Sequence, residues 1–447
     1  MPRLIVPIAS AEAADPNRFG SKAANLARLG HAGLPIPEGF CIDAEAYRLQ
    51  VADAGLEDHA RRVTSPEPRE ARCAALAMKL GLLDGPIAAD LQGALLDARR
   101  ALVASTCAAT VVRSSALVED RFGSSFAGQF ESYLGLESDE DFLTAVRSCW
   151  AALWATRVLR YMATHDASPA DTAMAVLVQP LVGAHCAGGG LSRTAEGDMV
   201  LTATPGLGAA LAQGEVVPDR FVLSRDGVLH HSSAGRVPHR LGCAHGARPL
   251  HRAAVTEAAL DPAQAVELGA LLSRTEDVIG LPVEIEWALD DSGFKLLQAR
   301  PLHLQSAPVP DEIWLRHPGL NGHPAGVGWG SGRACVVNCE CELSRVGPGD
   351  VLVTKVAGPS LSAVLPRVAG VVAELGGSTS HLASLARERG IPAVLGVLEA
   401  TQRIPDGVQV AVDGVAGIVR WVPTSDRRPG EGRGPSSARI RSRPAPG

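Results

Sequence analysis

The stretch Ala369 to Gly396 reads A-G-V-V-A-E-L-G-G-S-T-S-H-L-A-S-L-A-R-E-R-G-I-P-A-V-L-G. It opens as a buried β-branched strand, turns at Gly376-Gly377, and continues as a helix with Ser or Thr caps near its start. Leu382, Leu385 and Ala386 recur at helical spacing, and Gly390 followed by Ile391-Pro392 stops the helix. His381 therefore falls in the first helical turn. Free backbone N–H groups and the positive end of the helix dipole favour an anion there, and a neutral imidazole is a nucleophile near pH 7. The glycines before it leave room for a phosphoryl group. A lone histidine at a helix start is more often a cap or a packed surface residue; the pattern around this one sets it apart.

Working outward, strands at 350–354, 370–374, 408–412 and 417–421 alternate with helices, so residues 325–422 read as a compact α/β module. Residues 305–324 contain S-A-P-V-P-D-E and H-P-G-L-N-G-H-P, which continue neither a helix nor a sheet and read as a hinge linker. Residues 423–447 hold Arg427, Arg428, Arg433, Arg439, Arg441 and Arg443 among Pro, Gly and Ser, the composition of a disordered basic tail.

A chain of 447 residues suits two or three domains. With 46% hydrophobic and 20% charged residues it is globular in composition, and a net charge of −6 offers no field for nucleic acid. No apolar window is long enough for a membrane helix and no export signal is read at the N-terminus, so a cytoplasmic protein without a membrane partner is expected. The 9 cysteines are mostly scattered singly, with a tighter group at Cys335, Cys339 and Cys341; reduced thiols in strands or loops are favoured over a metal site.

Residues 1–304 mix helical periodicity with β-branched runs at 110–112, 175–178 and 283–287. Lys22 follows Gly20-Ser21 at a helix start, where a lysine reaches a phosphate or is merely solvated. Arg113 stands at the end of an apolar strand before a Ser- and Gly-rich loop, an arrangement suited to phosphate contact or to a solvated loop. The runs V-E-I-E-W-A-L and F-K-L-L-Q-A-R-P, joined by D-D-S-G, read as a β-hairpin. If Asp290 pairs with Phe294 across a three-residue loop, Glu286 lies opposite Gln298 and Glu284 opposite Arg300. One face then carries those four side chains and the other Ile285, Trp287 and Leu297. Two oxygen donors side by side form a magnesium seat, unless the face is simply solvated.

On Gly376, Gly377, Ser380, His381, Ala386-Arg387-Glu388, Gly390 to Val394 and Gly396, with Gly349 to Val353 before and Val412-Asp413-Gly414 after, the module resembles the mobile phosphohistidine domain of the phosphoenolpyruvate-utilising enzymes. That group includes pyruvate phosphate dikinase, phosphoenolpyruvate synthase and rifampin phosphotransferase. The segments around Lys22, Arg113 and the hairpin resemble the ATP-grasp nucleotide domain of the same group. The resemblance implies an α/β multidomain chain in which a bilobal ATP-grasp domain (1–304) is joined by a hinge (305–324) to a small swivelling phosphohistidine domain (325–422). It further implies ATP and Mg2+ as cofactors, contacted by Lys22, Arg113, Gly128, Ser132, Gln179, Glu286, Gln298 and Arg300. Glu286 and Gln298 would hold the metal and His381 would carry the phosphate.

The implied reaction cleaves ATP to AMP, passes the distal phosphates to His381, loses one to water or inorganic phosphate, and gives the other to a small-molecule acceptor. A phosphoenolpyruvate synthase-like or antibiotic or natural-product phosphotransferase-like activity is expected. Familiar relatives carry a further domain for the acceptor; here residues 305–324 alone join the two modules, so a separate acceptor-binding subunit or an acceptor held between the modules is expected. Two departures from the family pattern, at Ala187 to Asp198 and at Ala209 where relatives commonly carry glutamate, leave a second reading open: a non-catalytic or phosphorelay ATP-binding component.

Overall fold

The short apolar runs near the N-terminus collect into one sheet although helices separate them in sequence. In chain order the elements are β1 (Ile5–Pro7), α1 (Pro16–His31), β2 (Phe40–Ile42), α2 (Ala44–Asp53), α3 (Glu57–Arg62), α4 (Pro68–Asp84), α5 (Ala89–Thr106), β3 (Thr110–Ala116), β4 (Ser132–Leu136), α6 (Asp139–Ala152), α7 (Thr156–Ala163) and β5 (Met174–Pro180). The strands pair in the order β1-β2-β5-β3-β4. The structure, a computed structural model, describes residues 3–119, 126, 129–163, 168–237, 254–255, 258–302, 314, 317–355 and 358–423. Among them no helix is long and apolar enough to cross a membrane.

A second sheet follows, made of β6 (Cys186–Leu191), β7 (Met199–Pro205), β8 (Asp219–Leu223), β9 (Leu229–Ser233), β12 (Val283–Asp290) and β13 (Gly293–Pro301), in the order β13-β12-β6-β7-β8-β9. The short helix α8 (Ala209–Ala212) lies between β7 and β8, and β10 (Arg236–Val237) pairs with β11 (Ala254–Val255). Helix α9 (Pro262–Ile279) starts at a capping box between Asp261 and Gln264. It buries Leu268 and Leu272 in the same core as Ile285, Trp287, Leu201 and Phe221, together with Phe19 and Leu26 of α1. Residues directly opposite in antiparallel strands share a face. The other face therefore carries the row Gln298, Glu286, Gly189, Thr202 and Arg220, one residue from each of β13, β12, β6, β7 and β8.

The hairpin register departs from the expected one at its turn. Asp290 pairs with Gly293, not with Phe294, so the loop holds two residues. A β-bulge between Glu286 and Trp287 then absorbs one residue of β13, and beyond it Glu286 faces Gln298 and Glu284 faces Arg300. Leu296, not Leu297, consequently packs in the core with Trp287, while Leu297 turns to the cavity described below.

The third sheet has the order β14-β21-β20-β16-β17-β18-β19-β15. Its elements are β14 (Gly319–Asn321), β15 (His323–Pro324), β16 (Trp329–Val337), β17 (Val351–Thr354), β18 (Gly370–Ala373), α10 (His381–Glu388), β19 (Ala393–Leu395), α11 (Ala400–Arg403), β20 (Gln409–Asp413) and β21 (Ile418–Trp421). The described end of the stretch read as a hinge is thus strand. β14 and β15 are the two outermost strands, where Pro324 removes no ladder bond that the sheet needs. Most of residues 305–316, and the tail from 424 onward, lie outside the described residues.

Candidate functional site

Helix α1 is bent at Gly20, whose φ of 73° lies in the left-handed region. A Cβ at Gly20 would meet Ser115 O at 2.3 Å, so the chain passes against β3 only with glycine here. Ser115 Oγ takes up the bend, donating to Phe19 O at 2.7 Å and accepting from Ala23 N at 3.2 Å. Lys22 leads the segment beyond the bend. Its Nζ lies 2.9 Å from Glu119 Oε1 and donates to Ser114 O at 3.3 Å.

Arg113 is central in β3 rather than at its end, because Ser114 and Ser115 continue the strand with their hydroxyls satisfied. Its fork spans the gap to the second sheet: Nη2 donates to Glu286 Oε2 at 2.8 Å and to Gln298 Oε1 at 2.9 Å, and Nη1 donates to Leu297 O at 2.5 Å. Gln179, in β5 beside Val111, donates to Pro37 O at 3.1 Å. Ser132 opens β4 opposite Arg113. Gly128 lies outside the described residues.

A cavity of about 800 Å³ joins these groups, lined by Lys22, Arg113, Ser132, Gln179, Glu286, Gln298 and Arg300. His381 lines the same cavity although it belongs to the third sheet's unit. Ser380 caps α10 by accepting from Ala383 N at 3.4 Å, which leaves the imidazole on the first helical residue. Burial is the main influence lowering its pKa below the ordinary histidine value; Glu286 opposes that, and Arg300 and Lys22 add to it. A lowered pKa favours the neutral ring, the form of an imidazole that can act as a nucleophile. Glu286 stays below the ordinary glutamate range because, against its partial burial, Arg113, His381, Arg300 and Lys22 favour the charge.

Glu286 and Gln298 offer one carboxylate and one amide oxygen, side by side, with 41% of the Glu286 side chain accessible. Such hard oxygen donors fit Mg2+, which binds through one or two carboxylates plus substrate phosphates. Arg113 now occupies these oxygens, and a phosphate chain would compete for its fork.

The contact between the two units holds residues that the sequence reading did not single out for a site. Glu284 is 6% exposed and accepts from Arg300 Nη2 at 2.9 Å, Arg387 Nη2 at 3.0 Å and Ser384 Oγ at 3.0 Å. Thr202 Oγ1 and Thr379 Oγ1 are 2.6 Å apart. Tyr161 donates to Glu388, and Arg389 lies 5.9 Å from the Tyr161 ring. Ser384 and Arg387, polar residues among the apolar ones of the helix that carries His381, were the available signal.

The family described as pyruvate phosphate dikinase, AMP/ATP-binding domain, matches residues 16–313, and the PEP-utilising enzyme mobile domain matches residues 346–417. The chain is 32% identical to phosphoenolpyruvate synthase of Aeropyrum pernix over 93% of its own length and 58% of the relative's. It is 30% identical to phosphoenolpyruvate synthase of Pyrococcus furiosus over 90% of the chain and 56% of that protein. A prodigiosin synthesizing transferase, PigC of Serratia marcescens, is 34% identical over 69% of the chain and 34% of the transferase. The chain thus spans somewhat more than half the length of these synthases.

Proposed function

The chain belongs to the phosphoenolpyruvate-utilising enzyme family, with a pyruvate phosphate dikinase-type AMP/ATP-binding domain ahead of a mobile domain, and from that premise we propose that it moves phosphate from ATP through His381 to a small-molecule acceptor. The observation that carries this reading is a single cavity lined by His381 together with Lys22, Arg113, Gln179, Glu286, Gln298 and Arg300. In this reading residues 1–304 form a two-lobed ATP-grasp domain, 305–324 include the joint, and 325–422 swivel. Gln179 faces the adenine, Lys22, Arg113 and Arg300 the phosphates, and Ser132 and Gly128 also contact ATP or its magnesium.

An imidazole nitrogen of His381 attacks the β-phosphorus of ATP. The bond from that phosphorus to the bridging α–β oxygen breaks, and AMP leaves with the oxygen. Arg113 and Arg300 take up negative charge on the distal phosphates. Glu286 and Gln298 would hold Mg2+, which would supply neutralisation of that charge. Water or inorganic phosphate removes the outer phosphate from the histidine, and the remaining phosphoryl group passes to the acceptor hydroxyl, enolate or amine.

Incubation with Mg2+ and ATP labelled at the β position tests the reading. Acid-labile label on the protein, AMP as product, and loss of both in His381→Ala are expected. Nucleotide binding with neither label nor AMP favours a binding or phosphorelay component, a reading supported by Ala209 in the cavity wall.

A further inference from the structure

Glu284 and Glu286 sit two residues apart on one face of β12, yet they serve different neighbours. Glu286 opens to the cavity, whereas Glu284 is 6% exposed and does not line it. Both Glu284 oxygens are engaged: Ser384 Oγ lies 3.0 Å from Oε1 and 3.1 Å from Oε2, and Oε2 also accepts from Arg300 and Arg387. Ser384 and Arg387 follow His381 by one and two turns of α10.

Arg387 extends the connection to the nucleophile. It is 5% exposed, and its Nη1 donates to Ser378 O at 2.5 Å and to Ala325 O at 3.2 Å. Ser378 belongs to the turn that delivers His381. A carboxylate on one unit is therefore linked, through one guanidinium, to the backbone just before the reactive ring on the other. Removing Glu284 leaves the Arg387 guanidinium buried without its carboxylate partner, so the contact discriminates between seated and displaced positions.

We propose that Glu284 is the docking receptor for the histidine-bearing unit, read by Ser384 and Arg387, and acts as a positioning residue for His381 rather than as a nucleotide ligand. The proposal rests on the phosphotransfer reading above and goes beyond it by assigning what seats the moving unit. Arg300 links the two functions, since it holds Glu284 and Ser384 while lining the cavity. Each docking event thus completes the charge set around Arg300 as it brings in the imidazole.

The test uses the full chain with Glu284→Gln, Arg387→Met and the double variant. Four quantities are read: label transfer from β-labelled ATP, Mg-ATP affinity, phosphorylation of His381 by phosphoramidate, and molecular extension by small-angle scattering. Phosphoramidate is a small donor that needs no docking, so it reports an intact histidine and an intact fold. For Glu284→Gln, label transfer should fall about 100-fold, the scale of a small misplacement of reacting groups, with Mg-ATP affinity within about 3-fold. Phosphoramidate labelling should persist, and adding Arg387→Met should cost less than about 3-fold more, since residues in one contact are not additive. Unchanged transfer in Glu284→Gln, transfer and affinity falling together, or additive losses in the double variant each overturn the proposal. If the wild-type chain takes no label from ATP, the phosphotransfer reading falls and scattering decides the receptor: greater extension in Glu284→Gln supports it, and an unchanged profile removes it.

Discussion

Arg113 Nη2 lies 2.8 Å from Glu286 Oε2, joining the first sheet to the second across the cavity floor. The same arginine is anchored by the carbonyl of Leu297, next to the β-bulge. One fork thus reads both the carboxylate and the irregularity that aims it. In the proposed reaction a phosphate would compete for this fork and free Glu286 and Gln298 for the metal.

Substitution of Arg113 should follow from that double role. Lysine offers a point charge without a fork, so Arg113→Lys should lose label transfer nearly as severely as Arg113→Met, by about 100-fold or more. Because Glu286 remains open to solvent, the melting temperature should move little. Rapid-quench measurement of label transfer beside thermal unfolding checks this, and full activity in Arg113→Lys would show that the bidentate geometry is irrelevant.

Two adjacent glycines in β6 separate docking from folding. A Cβ at Gly189 would meet Thr379 Cβ at 2.6 Å, an atom of the other unit, whereas one at Gly188 would meet Thr202 O at 1.8 Å within its own sheet. Gly189→Ala should therefore keep Mg-ATP binding and lose at least about tenfold in label transfer, with partial recovery when Thr379→Gly is added. Gly188→Ala should instead lower the melting temperature of the nucleotide-binding unit. Equal melting temperatures and equal rates for the two variants would contradict the assignment of these faces.

Much of this site was legible from local pattern. The Gly376-Gly377 turn, the cap at Ser380 and the stop at Gly390 place His381 without any tertiary information. The pairing of Glu286 with Gln298 was also reached, but through a loop one residue too long; the bulge that compensates has no signature in an alternating run. Arg113 reads as a strand end because Ser114 and Ser115 look like loop residues, and only the neighbouring backbone, Glu131 O for Ser114 and Phe19 O and Ala23 N for Ser115, shows how their hydroxyls are satisfied within a strand. Arg300, 16 positions from Glu284, is within reach of the hairpin pattern, but the Glu284 partners on the histidine-bearing unit, Ser384 and Arg387, lie 100 and 103 positions away, beyond the reach of periodicity.

The acid limb of label transfer should lie lower than for an ordinary histidine. Burial in the cavity lowers the pKa of His381 below 6.5, so the ring in the docked complex remains neutral after a free imidazole would have protonated. Single-turnover transfer from pre-bound Mg-ATP should stay flat as pH falls through 6.5 and decline only below it. A half-maximal rate at pH 6.5 or above would mean that the imidazole reacts from a solvated position.

If the two units part as proposed and His323 then meets solvent, this histidine gives docking a pH dependence of its own. Its Nδ1 is buried without a partner, it neighbours Gly377 and Gly396 of its own unit, and Arg236 of the second unit reaches Gly396 O at 2.7 Å. Burial first, then Arg220 and Arg236, push its pKa from 6.5 down to about 3. Below pH 6.5 an undocked or unfolded His323 binds a proton that the docked form refuses, so the closed state is at full strength above 6.5 and weakens as pH falls toward about 3. The docked-to-open ratio should drop by up to about tenfold per pH unit in that window, one proton being linked. His323→Phe should flatten the dependence, read as scattering-derived extension at pH 7.5 and pH 5.5. Identical acid expansion in wild type and His323→Phe would place the sensitive group elsewhere.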